Sequence, residues 1–93
     1  MKLVNIGFGS MVATARMLSV LSQDSAPIKR MIQESRDRGM LIDASYGRKT
    51  KSVILMDTDQ VILSALTPEA LTARMTGEQT VEIEEEEPLA KEK

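Results

Sequence analysis

The sequence predicts an α+β fold: a small sheet of short, mostly antiparallel strands with one central helix and a short C-terminal helix. Short apolar segments recur along the chain and are separated by glycine and polar turn residues, a pattern typical of short strands. Residues 26–38 instead place their apolar side chains three and four positions apart, which is the spacing of a helix with one buried face. The chain has 93 residues, so we expect a single domain with a limited core.

The N-terminal part of the chain is predicted to form short strands. Residues 3–6 are expected to be the first strand, and the glycines of residues 7–10 permit a tight turn after it. Residues 11–21 fit neither the helical nor the strand period cleanly. We favour two short strands here, with Arg16 on an exposed face.

The central helix is the most clearly marked element. Residues 22–25 supply capping side chains, and Pro27 follows where its missing N–H costs nothing. Apolar residues share one face of this segment and charged residues the other. Gly39 is suited to a C-terminal cap. We therefore expect a helix from about Ala26 to Arg38.

Three further strands are predicted after the helix. They cover residues 40–44, 52–56 and 60–66, and residues 57–59 form a hairpin turn between the last two. These strands are close to continuously apolar, which indicates that both faces of the sheet are covered. One cover is the helix, and the other is a second layer or a neighbouring subunit.

A second, short helix and a charged tail complete the chain. Thr67 is a suitable helix cap and Pro68 the first helical residue, and the helix is expected to end near Gly77. The remainder is dominated by glutamate and has few apolar residues, so it cannot offset the entropy of ordering. We predict an ordered domain at residues 1–76 and an acidic disordered tail at residues 77–93.

The formal net charge of -2 conceals an uneven distribution. Residues 1–75 contain 10 Lys+Arg and 7 Asp+Glu, a balance of +3, whereas residues 76–93 contain 2 and 7, a balance of -5. The domain is therefore basic although the whole chain is acidic. An acidic whole-chain balance does not argue against a nucleic-acid partner.

The composition excludes several classes of site. The chain has no cysteine and no histidine, so ordinary zinc and iron–sulfur sites and His- or Cys-based catalysis are ruled out. Carboxylate pairs occur only in the hairpin turn, at Asp57 and Asp59, and in the tail. We expect no catalytic residues, no metal and no cofactor, and so not an enzyme. No apolar stretch is long enough to span a bilayer, and we expect a cytoplasmic protein with no membrane partner and no evident small-molecule substrate.

A basic loop at residues 46–51 is the strongest functional signal. Arg48, Lys49 and Lys51 lie between two apolar segments, and no acidic residue occurs from Ala44 to Met56. Local neutralisation is absent, so a polyanion such as a phosphate backbone is a natural partner. The chain has one Phe and one Tyr, whereas single-strand binders stack bases on aromatic side chains. We therefore favour duplex DNA.

Two other functions are compatible with the residues. Gly7 to Val12 follows a predicted strand and resembles the start of a dinucleotide-binding turn, but its third glycine is missing and the chain is too short for that fold. A protein-interaction or scaffold module is the second alternative. Its basic loop would dock an acidic partner, for example the tail of another subunit.

Five strings of the sequence agree in order and spacing with one known family: residues 5–9, 25–33, 36–44, 46–48 and 61–65. Through these strings the chain resembles the RemA family, bacterial regulators of extracellular matrix (biofilm) genes. The resemblance covers about residues 3–75 and does not extend to the acidic tail.

The resemblance implies a small α+β protomer that assembles into a closed homo-oligomeric ring. It also implies binding of double-stranded DNA at repeated sites as a transcriptional activator. The family's DNA contacts fall on Arg16, Arg48 and Lys49 of this chain, and Lys51 completes the expected DNA-binding set. Lysine stands at 49 and 51 where the family has arginine, so the charge is kept while bidentate phosphate contact is lost.

Overall fold

The computed structural model describes residues 1–77 and the backbone of residues 80–82. Within these residues the chain forms seven strands and two α-helices. In chain order they are β1 (Lys2–Asn5), β2 (Met11–Ala13), β3 (Met17–Ser22), α1 (Ala26–Asp37), β4 (Leu41–Asp43), β5 (Ser52–Met56), β6 (Val61–Ser64), α2 (Pro68–Thr76) and β7 (Thr80–Glu82), with a 3₁₀ turn at Thr14–Arg16 between β2 and β3. The predicted α+β class is confirmed, as are the two short strands within residues 11–21.

The strands form two sheets and not the single small sheet that the sequence predicted. One sheet has the order β2-β1-β7 and the other β3-β5-β6-β4. The 3₁₀ turn at Thr14–Arg16 interrupts the path from β2 to β3, so the two strands pair in different sheets. All pairs are antiparallel except β4 with β6, which are parallel. The prediction of mostly antiparallel strands is therefore confirmed.

The four-stranded sheet is covered on both faces, as its apolar strands predicted. The second cover comes from the same chain: the three-stranded sheet and α2. In the β5–β6 register Val53 lies opposite Leu63, and Ile54 lies opposite Ile62. The first pair packs with Ile32 of α1. The second pair packs in a cluster with buried residues of β1, β2, α2 and the segments beside them: Val4, Ile6, Val12, Ala44 and Leu71.

Both helices begin as their sequences predict. The hydroxyl of Ser25 accepts the N–H of Ile28 at 3.4 Å, and that of Thr67 accepts the N–H of Ala70 at 3.0 Å. Each cap satisfies a main-chain donor that the first helical turn leaves unpaired. Helix α1 ends at Asp37, one residue earlier than expected, and Gly39 follows with φ of 71°. None of the helices that the structure describes has the length and apolar character needed to cross a membrane.

The predicted disordered tail is only partly within the described residues. Thr80–Glu82 forms β7, which pairs antiparallel with β1, so disorder was the wrong prediction for these three residues. The reason is that β1 offers a main-chain edge to which an extended segment can hydrogen-bond whatever its charge. Residues 78, 79 and 83–93 lie outside the described residues.

Candidate functional site

The basic loop of residues 46–51 leaves β4 and enters β5, and hydrogen bonds hold both of its ends. At the start, the carboxylate of Asp43 accepts the N–H of Ser45 at 2.9 Å and its hydroxyl at 2.5 Å. The carbonyl of Ser45 then accepts the N–H of Arg48 at 3.0 Å. At the end, the N–H of Lys51 donates to the carbonyl of Ser64 at 2.9 Å. Hydrogen bonds therefore fix the loop at both ends.

Asp43 is ionised at the base of this loop. The Ser45 hydroxyl and then the Ser45 N–H lower the pKa of Asp43 below its ordinary 3.8, because both bonds favour the charged carboxylate. Partial desolvation opposes this effect, and the charge of Arg36 adds weakly to it. The loop thus starts beside an exposed carboxylate that is hydrogen-bonded to Ser45.

Arg48, Lys49 and Lys51 are all exposed. Within the part of the chain that the structure describes, no carboxylate lies at ion-pair distance from any of them. The three charges are therefore available to a ligand. The structure brings these three predicted site residues together on one loop.

The glycine turn, residues 7–10, joins β1 to β2 as a hairpin. The side-chain oxygen of Asn5 accepts the N–H of Gly7 at 2.7 Å, and the carbonyl of Gly7 accepts the N–H of Ser10 at 3.0 Å. A dinucleotide-binding turn instead leads from a strand into a helix whose N-terminus receives the phosphates. The nucleotide-binding alternative was therefore wrong about this turn.

The glycine turn and the basic loop touch each other through the two aromatic residues of the chain. The rings of Phe8 and Tyr46 meet edge to face, with centroids 5.4 Å apart and planes at 63°. The guanidinium carbon of Arg48 lies 5.3 Å from the centroid of the Phe8 ring, within range of a cation–π contact. The hydroxyl groups of Ser10 and Tyr46 are 3.2 Å apart.

Sequence reasoning missed this aromatic cluster of Phe8, Tyr46 and Arg48. The aromatic residues are few, yet both are exposed, Tyr46 within the basic loop and Phe8 beside it. Their positions, 38 residues apart, have no local signal that would connect them. One sequence clue was available: each aromatic residue lies next to a glycine. Aromatic residues are not typical turn formers, and a turn at the surface does not bury them in the core.

Buried Ser64 connects the two loops from below. Its carbonyl accepts the N–H of Lys51 in the basic loop. Its hydroxyl donates to the carbonyl of Ile6 at 2.7 Å, directly before the glycine turn. One residue of β6 is therefore hydrogen-bonded both to the basic loop and to the residue before the glycine turn.

Arg16 lies apart from the basic loop. Its carbonyl accepts the N–H of Asp57, and its guanidinium forms an ion pair with the Asp57 carboxylate at 3.2 Å. Lys51 and Asp57 lie at opposite ends of β5, just outside the strand. At about 3.3 Å per residue, they are about 20 Å apart. The Arg16 side chain is 64% exposed, in agreement with the predicted exposed face. Within one protomer, however, Arg16 is not beside Arg48 and Lys49.

A polar cleft of about 440 Å³ borders the basic loop. It lies between the end of β3, the loop and the start of α2, and two lysines and two acids line it: Lys49, Lys51, Asp24 and Glu69. These charges offset each other, so the cleft has no strong preference for an anion or a cation. No group of three metal-ligating side chains occurs among the described residues.

Comparison with known proteins gives consistent matches over most of the chain. Residues 3–75 match the family model RemA-like, described as extracellular matrix regulatory protein A-like. Extracellular matrix regulatory protein A of Bacillus subtilis is 55% identical over 80 residues, which cover 86% of this chain and 90% of that protein. A regulatory protein of Clostridium perfringens is 55% identical over 86 residues, covering 92% and 97%. One of Heliobacterium modesticaldum is 56% identical over 80 residues, covering 86% and 88%.

Proposed function

This chain belongs to the RemA-like family, and from that premise we propose that it is a DNA-binding transcriptional regulator. It would activate extracellular matrix (biofilm) genes, work as a homo-oligomeric ring in the cytoplasm, and perform no catalysis. Its family and its relatives are named as regulatory proteins. The contact with duplex DNA would be made by Arg48, Lys49 and Lys51, with Arg16 as a separate contact.

One observation carries this proposal: three exposed cations lie on a loop whose two ends are hydrogen-bonded, and no carboxylate of the described residues lies at ion-pair distance from them. A fixed loop loses little conformational entropy when it meets a ligand. Each phosphate that it neutralises contributes a slope of about 0.9 to the logarithmic dependence of affinity on salt concentration. The loop therefore supplies sequence-independent affinity for a nucleic-acid backbone.

The distance to Arg16 suits a duplex and not a small anion. About 20 Å separates Lys51 from Asp57, the ion-pair partner of Arg16, which corresponds to about six base pairs at 3.4 Å each along one strand. Arg16 and the basic loop could therefore contact different phosphates of one duplex. A free phosphate or a nucleotide could not reach both.

Ring assembly is supported by apolar side chains on opposite edges of the four-stranded sheet. Leu18 on β3 is 67% exposed, and Ile42 on β4 is 42% exposed. A closed ring is built by joining one surface of a protomer to a different surface of the next. Two edge strands that each expose an apolar side chain provide such a pair of surfaces. Repetition of the basic loop around the ring would then multiply weak phosphate contacts.

The alternative is a protein-interaction module that uses the basic loop to dock an acidic partner. The aromatic cluster favours this alternative, because Phe, Tyr and Arg are enriched in protein interfaces. The two functions differ in their salt dependence and in their partner. A duplex of scrambled sequence should bind if the contacts go to phosphates, whereas a protein-docking loop should bind an acidic polypeptide more tightly than a duplex of equal charge.

Light scattering of the protein alone and with a duplex of about 50 base pairs tests the proposal. The protein alone is expected to have the mass of several chains, and the duplex is expected to raise that mass further. The mass of a single chain that the duplex leaves unchanged would contradict both the ring and the DNA partner. An acidic polypeptide that binds where the duplex does not would establish the alternative.

A further inference from the structure

We propose that Phe8 is a positioning residue for DNA contact: its ring holds the guanidinium of Arg48 in the orientation that meets a phosphate. This inference rests on the proposed function and adds a residue from outside the basic loop to the binding site. Three independent observations support it. They are the contact between Phe8 and Arg48, the backbone conformation of both aromatic residues, and the exposure of the cluster.

The contact places Arg48 over the face of the Phe8 ring at 5.3 Å. A cation–π contact is an electrostatic attraction to the ring face, so it does not use the guanidinium N–H groups in conventional hydrogen bonds. The ring therefore limits the rotamers of a long side chain without occupying its hydrogen bonds. A phosphate could then accept two of those N–H groups at a smaller entropic cost.

The backbone at both aromatic residues is in the left-handed region. Phe8 and Tyr46 have φ of 53°, and the glycines beside them also have positive φ. An aromatic side chain is an unfavourable choice for such a position, where glycine or asparagine has a lower energy. Folding stability alone therefore does not explain an aromatic residue at either place. Strain of this kind is concentrated at functional sites.

Burial does not explain the aromatic residues either. Phe8 is 52% exposed and Tyr46 is 63% exposed, so neither contributes a full core side chain. What they contact is specific: Tyr46 meets the Phe8 ring at its edge, and its hydroxyl lies 3.2 Å from that of Ser10. Tyr46 thus packs against the Phe8 ring that Arg48 contacts, and Ser10 is within hydrogen-bond distance of the Tyr46 hydroxyl. The cluster connects the glycine turn to the basic loop at Arg48, one of the three exposed cations.

The substitution Phe8→Asn separates positioning from stability. Asparagine tolerates the left-handed backbone better than phenylalanine, so this variant should be at least as stable as the natural chain. It lacks the aromatic face, however, and an exposed cation–π contact corresponds to about a two- to five-fold change in an equilibrium constant. Because the contact acts by favouring the binding orientation of the guanidinium, we expect affinity for duplex DNA to fall by up to that factor for each protomer engaged, while stability does not fall.

Two further variants complete the experiment, which measures duplex affinity by fluorescence anisotropy at fixed salt. Phe8→Trp keeps an aromatic face and should retain the natural affinity. Combining Phe8→Asn with Arg48→Ala should bind no more weakly than Arg48→Ala alone, because the ring acts only through that guanidinium. Without DNA, NMR should show the side-chain protons of Arg48 losing their aromatic ring-current shift in Phe8→Asn.

The outcomes distinguish this inference from the proposed function. Natural affinity in Phe8→Asn together with weakened binding in Arg48→Ala would overturn the role of Phe8 and leave the proposed function intact. Additive losses in the double variant would also overturn it, because Phe8 would then act independently of Arg48. Absence of duplex binding by the natural chain would overturn the proposed function, and the inference with it.

Discussion

The hydroxyl of Ser64 donates a 2.7 Å hydrogen bond to the carbonyl of Ile6, across 58 residues of sequence. The same hydroxyl accepts the N–H of Leu66 at 3.1 Å, and the Ser64 carbonyl accepts the N–H of Lys51. The buried serine therefore holds the end of β1, from which the glycine turn departs, and the end of the basic loop. Phe8 and Arg48 lie on the two segments that this residue connects.

Ser64→Ala should destabilise the fold. The substitution leaves the carbonyl of Ile6 without its partner in a buried setting, which costs about 1–3 kcal/mol in the free energy of unfolding. Urea denaturation measures this loss. Thr58→Ala, which removes an exposed hydroxyl from the hairpin turn, is the control and should change stability by less than about 0.5 kcal/mol. Equal stabilities for the two variants would show that the Ser64 bond has no net value.

Arg48→Ala should weaken binding to duplexes of any sequence. Loss of one phosphate contact per protomer is expected to reduce the salt slope by about 0.9 for each protomer engaged. Gel-shift titrations at several salt concentrations measure both quantities, and light scattering should show an unchanged oligomer. Arg30→Ala removes the same charge from the exposed face of α1 and is the matched control. If the two variants lose affinity equally, net charge and not the basic loop determines binding.

Asp57→Asn should strengthen DNA binding, and Arg16→Ala should weaken it. The Asp57 carboxylate holds the Arg16 guanidinium at 3.2 Å, so its removal releases the cation for a phosphate. Stability should change little, because exposed ion pairs contribute about 0–1 kcal/mol. Asp59→Asn, two residues away in the same turn, removes an equal charge without touching this pair. A similar gain in affinity from Asp57→Asn and Asp59→Asn would mean that the ion pair between Arg16 and Asp57 does not limit DNA binding.

A chain that ends at Ile83 should bind DNA more tightly than the full chain. It keeps the segment of β7 but lacks Glu84 to Glu87, whose charges repel a duplex or compete with it for the basic loop. The gain should shrink as salt is raised, because screening weakens both effects. Anisotropy titrations at low and high salt measure this gain in affinity. The control is the full chain with glutamine at all four positions, which removes the charges without changing the length. Loss of assembly in the shortened chain would favour the protein-docking alternative.

Asp43→Asn should reduce stability at neutral pH but not in acid. The folded state lowers the pKa of Asp43, so its ionised form contributes stability above the ordinary value of 3.8, and this contribution is lost as pH falls through the folded-state pKa. At neutral pH the loss is expected to be about 0.5–1.5 kcal/mol, because asparagine offers the two donors of Ser45 a weaker, uncharged acceptor. Unfolding free energies measured across this pH range test it. Ser45→Ala removes the hydroxyl donor, so it should make the Asp43→Asn difference smaller.

The predicted elements agree closely with the observed ones where the signal is local. Helix α1 and helix α2 begin at the predicted caps, because capping is a contact between residues three apart. Strand β5 has the predicted bounds, and β6 lies within its predicted range. The division into two sheets was not predicted. When nearly every residue of a strand is apolar, its sequence does not indicate which strands it pairs with.

The candidate site was predicted in part. The basic loop and its exposure follow from three cations with no acid nearby, which is a property of adjacent residues. Arg16 was grouped with the loop through the family resemblance, but β5 holds them about 20 Å apart in one protomer. Phe8 was absent from the predicted site because its contact with Arg48 crosses 40 residues of sequence.

The sequence by itself determined both helices and the strands other than β7, where the positive charge is concentrated, and which family the chain resembles. Periodicity, capping and charge runs are local properties, so they can be read without knowing how the chain folds back on itself. Only the tertiary structure decided that Phe8 meets Arg48 and that Ser64 supports both loops. Those contacts depend on the register of β5 with β6 and on the packing of the two sheets, which place residues distant in sequence within a few ångströms of each other.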